Sequence, residues 1–174
     1  ATPQRLGGEG LRDNFSAIVV GASMRELIDG GSLSEYRVFA PPQTATTGLP
    51  MLGGDYAKGA LAAAMDKPKI FGDAVEHYRR LAPGKRAIVF CVSLAHALNV
   101  AAEFRRAGIS AWRIDGAMPR EERRALVRAF EAGTITVLTS CDVVSEGFDM
   151  PAIEVAIMLR PTQSLALHLQ QVGR

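Results

Sequence analysis

Residues 86–108 read RAIVFCVSLAHALNVAAEFRRAG. Ala87 to Val92 form a continuous apolar run, the pattern of a parallel strand covered on both faces. Leu94, Leu98, Ala101 and Phe104 then recur at helical spacing, with Ser93 placed to cap the helix and Gly108 to end it. The alternation continues downstream. SAWRI (110–114) reads as a short strand, and PREERRALVRAFEAG (119–133) as a helix with Pro119 in its first turn. Leu126 and Phe130 share one face of that helix, and Gly133 ends it. TITVLTS (134–140) and IEVAIML (153–159) read as two further strands, followed by the helix SLALHLQQ (164–171). Strands and helices alternating through short connections imply an α/β fold, a doubly wound parallel sheet with helices on both faces and right-handed crossovers.

The upstream part reads differently. FSAIVV (15–20) and YRVFA (36–40) have strand character, the second ended by Pro41 and Pro42. Between them SMRELIDGG (23–31) reads as a short helix with a Ser23–Glu26 capping box and a glycine stop. Residues 41–54 are rich in Pro, Thr and Gly and read as a linker. Two modest helices are expected around residues 56–65 and 73–81. The chain opens on ATPQRLGGEGL without an initiator methionine and closes on QQVGR inside a helical pattern. Both ends are therefore expected to lie within larger functional units.

A chain of 174 residues with 48% hydrophobic content suits one well-buried domain, or one domain plus a remnant of a neighbour. Its longest apolar runs fall far short of the ~20 residues a bilayer span needs. Cys91 and Cys141 make no disulfide framework, so a reducing, cytoplasmic setting is expected. No paired Cys/His spacing suggests a metal site. The net charge of +2 hides an asymmetry: Arg79 to Arg128 holds eleven Lys or Arg against four Asp or Glu, and the remainder nine against fourteen. A basic segment suits a polyanionic partner. Sixteen of the twenty basic residues are Arg in a chain rich in Ala and Gly, so genome base composition would produce the same bias.

Ligands of open α/β sheets bind at the carboxyl ends of strands. Ser93 follows the first strand, where a hydroxyl and free N–H groups either bind a phosphate or simply cap the helix. CDVVSEGFDMP (141–151) follows TITVLTS, with Gly147 permitting close backbone approach and Asp149 able to accept from a ribose hydroxyl; the same pair also suits a plain turn. RPTQS (160–164) follows IEVAIML and leads to QQVGR, where Arg174 is either a solvated surface residue or aimed at a phosphoryl group. Trp112 sits in a strand pattern and is expected in the core rather than as a base-stacking platform.

In this order and spacing, AIVFCVS, IDGAMPREERRALVRAFEAG, VLTSCDVVSEGFDMP and QQVGR resemble motifs IV, IVa, V and VI of superfamily two helicases, in the second RecA-like lobe. The resemblance covers about Lys85 to Arg174. ATPQRLGGEGL resembles the end of motif III of a first lobe, and residues 21–41 are similar to RadD-like and phage-borne members of the DEAD/DEAH group. The resemblance implies three parts: the tail of a first RecA-like lobe and crossover (1–40), a linker with leading helices (41–84), and a C-terminal RecA-like lobe (85–174) reaching into motif VI.

It also implies roles. Ser93, Gly116, Arg123, Ser140 and Cys141 would meet the nucleic-acid backbone. Many relatives carry threonine where this chain has Cys141, a weaker donor, so Ser140 or backbone amides would supply that contact. Gly147 and Asp149 would line the nucleotide cleft, Gln170 would couple the lobes, and Arg174 would point to the γ-phosphate of ATP. The family pattern places a second arginine three residues further on. ATP and Mg2+ would be held mainly by the first lobe, because the sequence contains no G-x-x-x-x-G-K-[ST] loop and no magnesium-binding Asp-Glu pair. The chain alone is therefore expected to hydrolyse ATP negligibly. The expected partners are DNA, single-stranded or a junction, and the protein's own N-terminal RecA-like lobe, with no membrane. The expected function is the second motor lobe of an ATP-dependent DNA helicase or translocase. A passive nucleic-acid-binding module and a nucleotide- or metabolite-binding α/β domain are the alternatives.

Overall fold

The computed structural model describes residues 16–17, 19–40, 46–141 and 150–172. Its elements are α1 (Met24–Asp29), β1 (Met51–Leu52), β2 (Asp55–Tyr56), α2 (Lys58–Met65), α3 (Pro68–Leu81), β3 (Ala87–Phe90), α4 (Leu94–Arg106), β4 (Ala111–Ile114), α5 (Arg120–Glu131), β5 (Val137–Ser140), β6 (Val155–Met158) and α6 (Leu165–Val172). The main sheet runs β4-β5-β3-β6 with every neighbouring pair parallel. Ala87 stands opposite both Val137 and Val155, so β3 is central. All residues of β3 and β5 are buried, which is why neither strand alternates apolar with polar.

The side chains divide by parity. Ala87, Val89, Ala111 and Val137 pack with Val100, Ala101 and Phe104 of α4 and with Phe71, Val75 and Tyr78 of α3. Ile114 and Leu138 face the other way, against Phe130 of α5, Ile135 and Met150. Helices thus cover both faces, as expected. Thr139 donates its buried hydroxyl to the Ala97 carbonyl at 2.8 Å and ties β5 to α4. The turn after α4 reverses at Gly108, whose φ of +78° favours a residue without a Cβ.

Several expectations need correction. The buried face of α4 carries His96, Ala97, Val100, Ala101 and Phe104, while Leu94 and Leu98 point outward. The two stripes share Ala101 and Phe104, and the buried one is turned by roughly a fifth of a turn toward His96 and Val100. Trp112 is half exposed under the Arg105 guanidinium, 5.9 Å from its ring, because β4 is an edge strand. The two upstream strands do not form among the described residues, and Val19, Val20, Val38 and Phe39 are exposed. A strand needs a neighbour to bond, and no described segment pairs with them. Helix α1 does form with its capping box, yet buries nothing. At the end of the expected linker, β1 and β2 make a small hairpin turned at Gly53 and Gly54, with φ of +60° and +83°, so Tyr56 lies in a strand and the helix starts at Lys58. Helix α3 begins at Pro68, earlier than expected, with proline in its first turn.

Beneath the start of α4 lies His96. Its Nδ1 accepts from the Val92 N–H at 3.3 Å, and its ring packs 5.5 Å from that of Phe71. Burial lowers its pKa below the ordinary 6.5, partly opposed by Asp66. The unfolded chain therefore takes up this proton first. The contribution to stability is complete above about pH 6.5 and is lost as the pH falls below it toward the depressed folded value. Urea unfolding at pH 5 and pH 7.5 should show lower stability at pH 5. His96→Gln, which keeps an acceptor for Val92, should flatten that difference; an unchanged difference would exclude His96 as its source.

Candidate nucleic-acid interface

Because the strands are parallel, their carboxyl ends share one edge of the sheet. Each end passes into a short loop: Ser93 follows β3, residues 115–119 follow β4, Cys141 follows β5, and residues 159–164 follow β6. Ser93 has extended backbone and caps α4, its Oγ accepting from the His96 N–H at 3.1 Å. Its hydroxyl hydrogen has no acceptor among the described residues and can donate to a phosphate oxygen. Capping and phosphate contact are thus compatible in one side chain.

Sequence reasoning missed what holds the loop after β4. Asp115 is buried and accepts through Oδ1 from the Ala117 N–H at 2.9 Å and the Met118 N–H at 3.0 Å. Its other oxygen lies 2.8 Å from Arg113 Nη2. The carboxylate folds the loop around itself and leaves Gly116 exposed. An aspartate just before a glycine at a strand end was the available signal.

Helix α5 leaves this loop. Its Arg123 is half-buried, and its N–H donates to the Pro119 carbonyl at 3.0 Å. Pro119 is the N-cap residue rather than part of the first turn. Arg124 pairs with Glu121 at 3.1 Å, whereas Arg120, Arg123 and Arg128 have no ion-pair partner among the described residues. The basic residues at the opposite, amino-terminal edge are different. Lys85 and Arg86 lie 2.7 Å and 3.6 Å from Glu154, whose carboxyl is held below its ordinary pKa, chiefly by the Lys85 hydrogen bond. Arg86 also donates to the Glu131 carbonyl at 3.0 Å. At the far end of α4, Arg105 donates to the Ala111 carbonyl at 2.8 Å and Arg106 pairs with Glu103. Arg105 and Arg106 are thus engaged at the far end of α4, away from the carboxyl ends of the strands. On α5, Arg120, Arg123 and Arg128 keep guanidinium groups that form no ion pair among the described residues.

Ser140 and Cys141 are both buried. The Ser140 hydroxyl has no hydrogen-bond partner among the described residues. The Cys91 N–H donates to the Ser140 carbonyl at 2.8 Å, extending the β3–β5 register so that Cys91 stands beside Cys141. Neither forms a disulfide, and burial pushes the Cys91 thiol far up, with Cys141 adding to the shift. Cys91 is thus a protonated core thiol, not a nucleophile. Gln170 belongs to α6. Gly147, Asp149 and Arg174 lie outside the described residues. Among the described residues no cluster of His, Cys, Asp and Glu could hold a metal ion, and no helix is long and apolar enough to cross a membrane.

Residues 66–174 match the family model described as the helicase conserved C-terminal domain. A protein of Lactococcus phage (isolate 7-9), described as a 51.5 kDa protein, is 38% identical over 174 residues, covering the whole chain and 38% of that protein. IRC3 of Saccharomyces cerevisiae, whose name assigns it provisionally to the ATP-dependent helicases, is 26% identical over 178 residues, covering the whole chain and 26% of that protein. The chain thus spans well under half the length of these relatives. Among solved structures, the C-terminal domain of the DEAD-box protein Dbp5 superposes with a TM-score of 0.53 at 20% identity, covering 63% of each chain. That likeness supports the fold, with the same parallel sheet between helices. The chain belongs to the helicase conserved C-terminal domain family and has the C-terminal RecA-like lobe of superfamily two helicases.

Proposed function

We propose that this chain is the second motor lobe of an ATP-dependent DNA helicase or translocase. The observation that carries the reading is the shared carboxyl edge, where Ser93 and the Gly116 loop stand beside an α5 whose Arg120 and Arg123 lack ion-pair partners among the described residues. Such an edge suits a phosphate backbone: hydroxyl and N–H donors fix register, and guanidinium groups supply charge. Contacts of this kind read little sequence. The residues chosen for the strand contact are Ser93, Gly116, Arg123, Ser140 and Cys141. The burial of Ser140 and Cys141 favours a contact there through backbone amides. The three-part division at 1–40, 41–84 and 85–174 belongs to the same reading. DNA is preferred over RNA because residues 21–41 resemble RadD-like members.

Gly147, Asp149, Gln170 and Arg174 are assigned to ATP held mainly by a first lobe. The magnesium donors are assigned to that first lobe as well, because the sequence has no Asp-Glu pair to hold the ion. In this reading ATP closes the two lobes and hydrolysis reopens them, shifting the grip on one strand each cycle. The chemistry is positioning plus charge stabilisation, so displacing Arg174 lowers turnover more than binding.

ATPase activity of the protein carrying this chain together with a P-loop lobe tests the proposal, with and without single-stranded DNA or RNA. DNA should stimulate hydrolysis. Arg174→Ala should lower kcat at least tenfold while leaving DNA affinity intact. Arg123→Ala should instead weaken DNA binding and reduce the slope of log K against log salt by about one. Salt-dependent DNA binding without stimulated hydrolysis would favour the passive module. Tight nucleotide binding without salt-dependent DNA affinity would favour the metabolite-binding domain.

A further inference from the structure

The loop between β6 and α6 is held by a residue more than a hundred positions upstream. Asp55, on the connector hairpin, accepts from the Thr162 hydroxyl at 2.7 Å through Oδ2 and from the Gln163 N–H at 2.9 Å through Oδ1. Oδ1 also accepts from the Tyr56 N–H at 2.8 Å. The Tyr56 hydroxyl in turn accepts from Gln163 Nε2 at 2.6 Å. The bonding continues into the helix. Thr162 Oγ1 accepts from the Ser164 N–H at 3.0 Å, and Ser164, itself buried, caps α6 by accepting from the Leu167 N–H at 3.3 Å. The hairpin is closed by the Ala57 N–H donating to the Pro50 carbonyl at 2.8 Å. It is seated by an apolar cluster joining Leu49 and Tyr56 to Val92 and Leu159, just beyond the ends of β3 and β6.

We propose that Asp55 is a positioning residue that latches the start of α6 to the connector hairpin, so that movement of the connector is transmitted to the helix bearing Gln170. The functional half of this inference rests on the motor-lobe reading. Three features support it. One carboxylate accepts from two neighbouring residues of the loop, which fixes that loop's orientation as a single bond would not. The relay through Thr162 and Ser164 ends on the amides of the first turn of α6. The hairpin precedes every strand of the main sheet along the chain, so a displacement of the upstream part reaches Asp55 before it reaches that sheet. The latch also explains a side-chain choice. Glutamate at position 55 would carry its carboxylate one methylene further and misplace both acceptors, and asparagine would keep one acceptor but put an NH2 where Thr162 donates.

Amide hydrogen exchange on this chain reads the latch directly. Asp55→Ala should lower protection of the Leu167 and His168 amides at least tenfold, leaving the β3 and β5 amides unchanged. Asp55→Asn should show a smaller loss in the same place and serves if the alanine variant does not fold. Unchanged protection in α6, or an equal loss throughout the sheet, would overturn the latch. In the protein that also carries a P-loop lobe, Asp55→Ala should lower kcat severalfold at unchanged KM for ATP and unchanged DNA affinity. A loosened α6 with unchanged kcat would overturn the link to chemistry. If the unmutated protein shows no DNA-stimulated hydrolysis, the motor reading fails, and the exchange result still decides the latch.

Discussion

The architecture depends on the register of β3 between β5 and β6. Ala87 opposite both Val137 and Val155 aligns three strands so that they end together. With β4 aligned on β5 through Ala111 and Val137, the loops after all four strands meet along one edge. A shift of one residue would turn Val89 and Thr139 away from α4, burying the wrong side chains on both faces. It would also move Ser93 relative to the Gly116 loop. Core packing and the candidate interface are therefore fixed by the same hydrogen bonds.

Charge is sorted by the same geometry. At the amino-terminal edge Glu154 gathers Lys85 and Arg86, and at the end of α4 the guanidinium groups of Arg105 and Arg106 find a carbonyl and a carboxylate. Exposed pairs of this sort contribute little to stability. The Glu154 and Glu103 carboxylates offset part of the positive charge there, whereas Arg105 keeps its charge against a carbonyl. Among the described residues, Arg124 is the one arginine of α5 with an ion pair, to Glu121. Arg120 and Arg123 stand in the first turn of α5 alongside Glu121 and Glu122, without an ion-pair partner among the described residues. Asp55 adds a different constraint, since it ties the last helix to the connector rather than to the sheet.

Much of the sheet was legible because β3 and β5 are buried on both faces and have no polar alternation to confuse the reading. The capping residues Ser23 and Ser93 were legible because their bonds are local. The rotation of the α4 stripe was not, because Leu94 and Leu98 fit helical periodicity as well as His96 and Val100 do, and only packing in the fold decides between them. FSAIVV and YRVFA have strand composition, but pairing is not a property of composition. At the candidate site, the placing of Ser93 and Gly116 just after strands of one parallel sheet was readable from the strand–helix alternation. The hold of Asp115 on its loop and of Asp55 on Thr162 was not; the second bond joins residues 107 positions apart. The burial of Ser140 follows from its register opposite Phe90, which a single strand cannot reveal.

The most direct test of this account is to map where nucleic acid touches the chain, by following backbone amide chemical shifts during titration with single-stranded DNA. Shifts concentrated at Ser93, Gly116, Ala117 and the start of α5, with the amides around Arg105, Arg106 and Glu154 unmoved, are the predicted result. Shifts centred on the end of α4 or the start of β3, or none at DNA concentrations that saturate the protein, would contradict it.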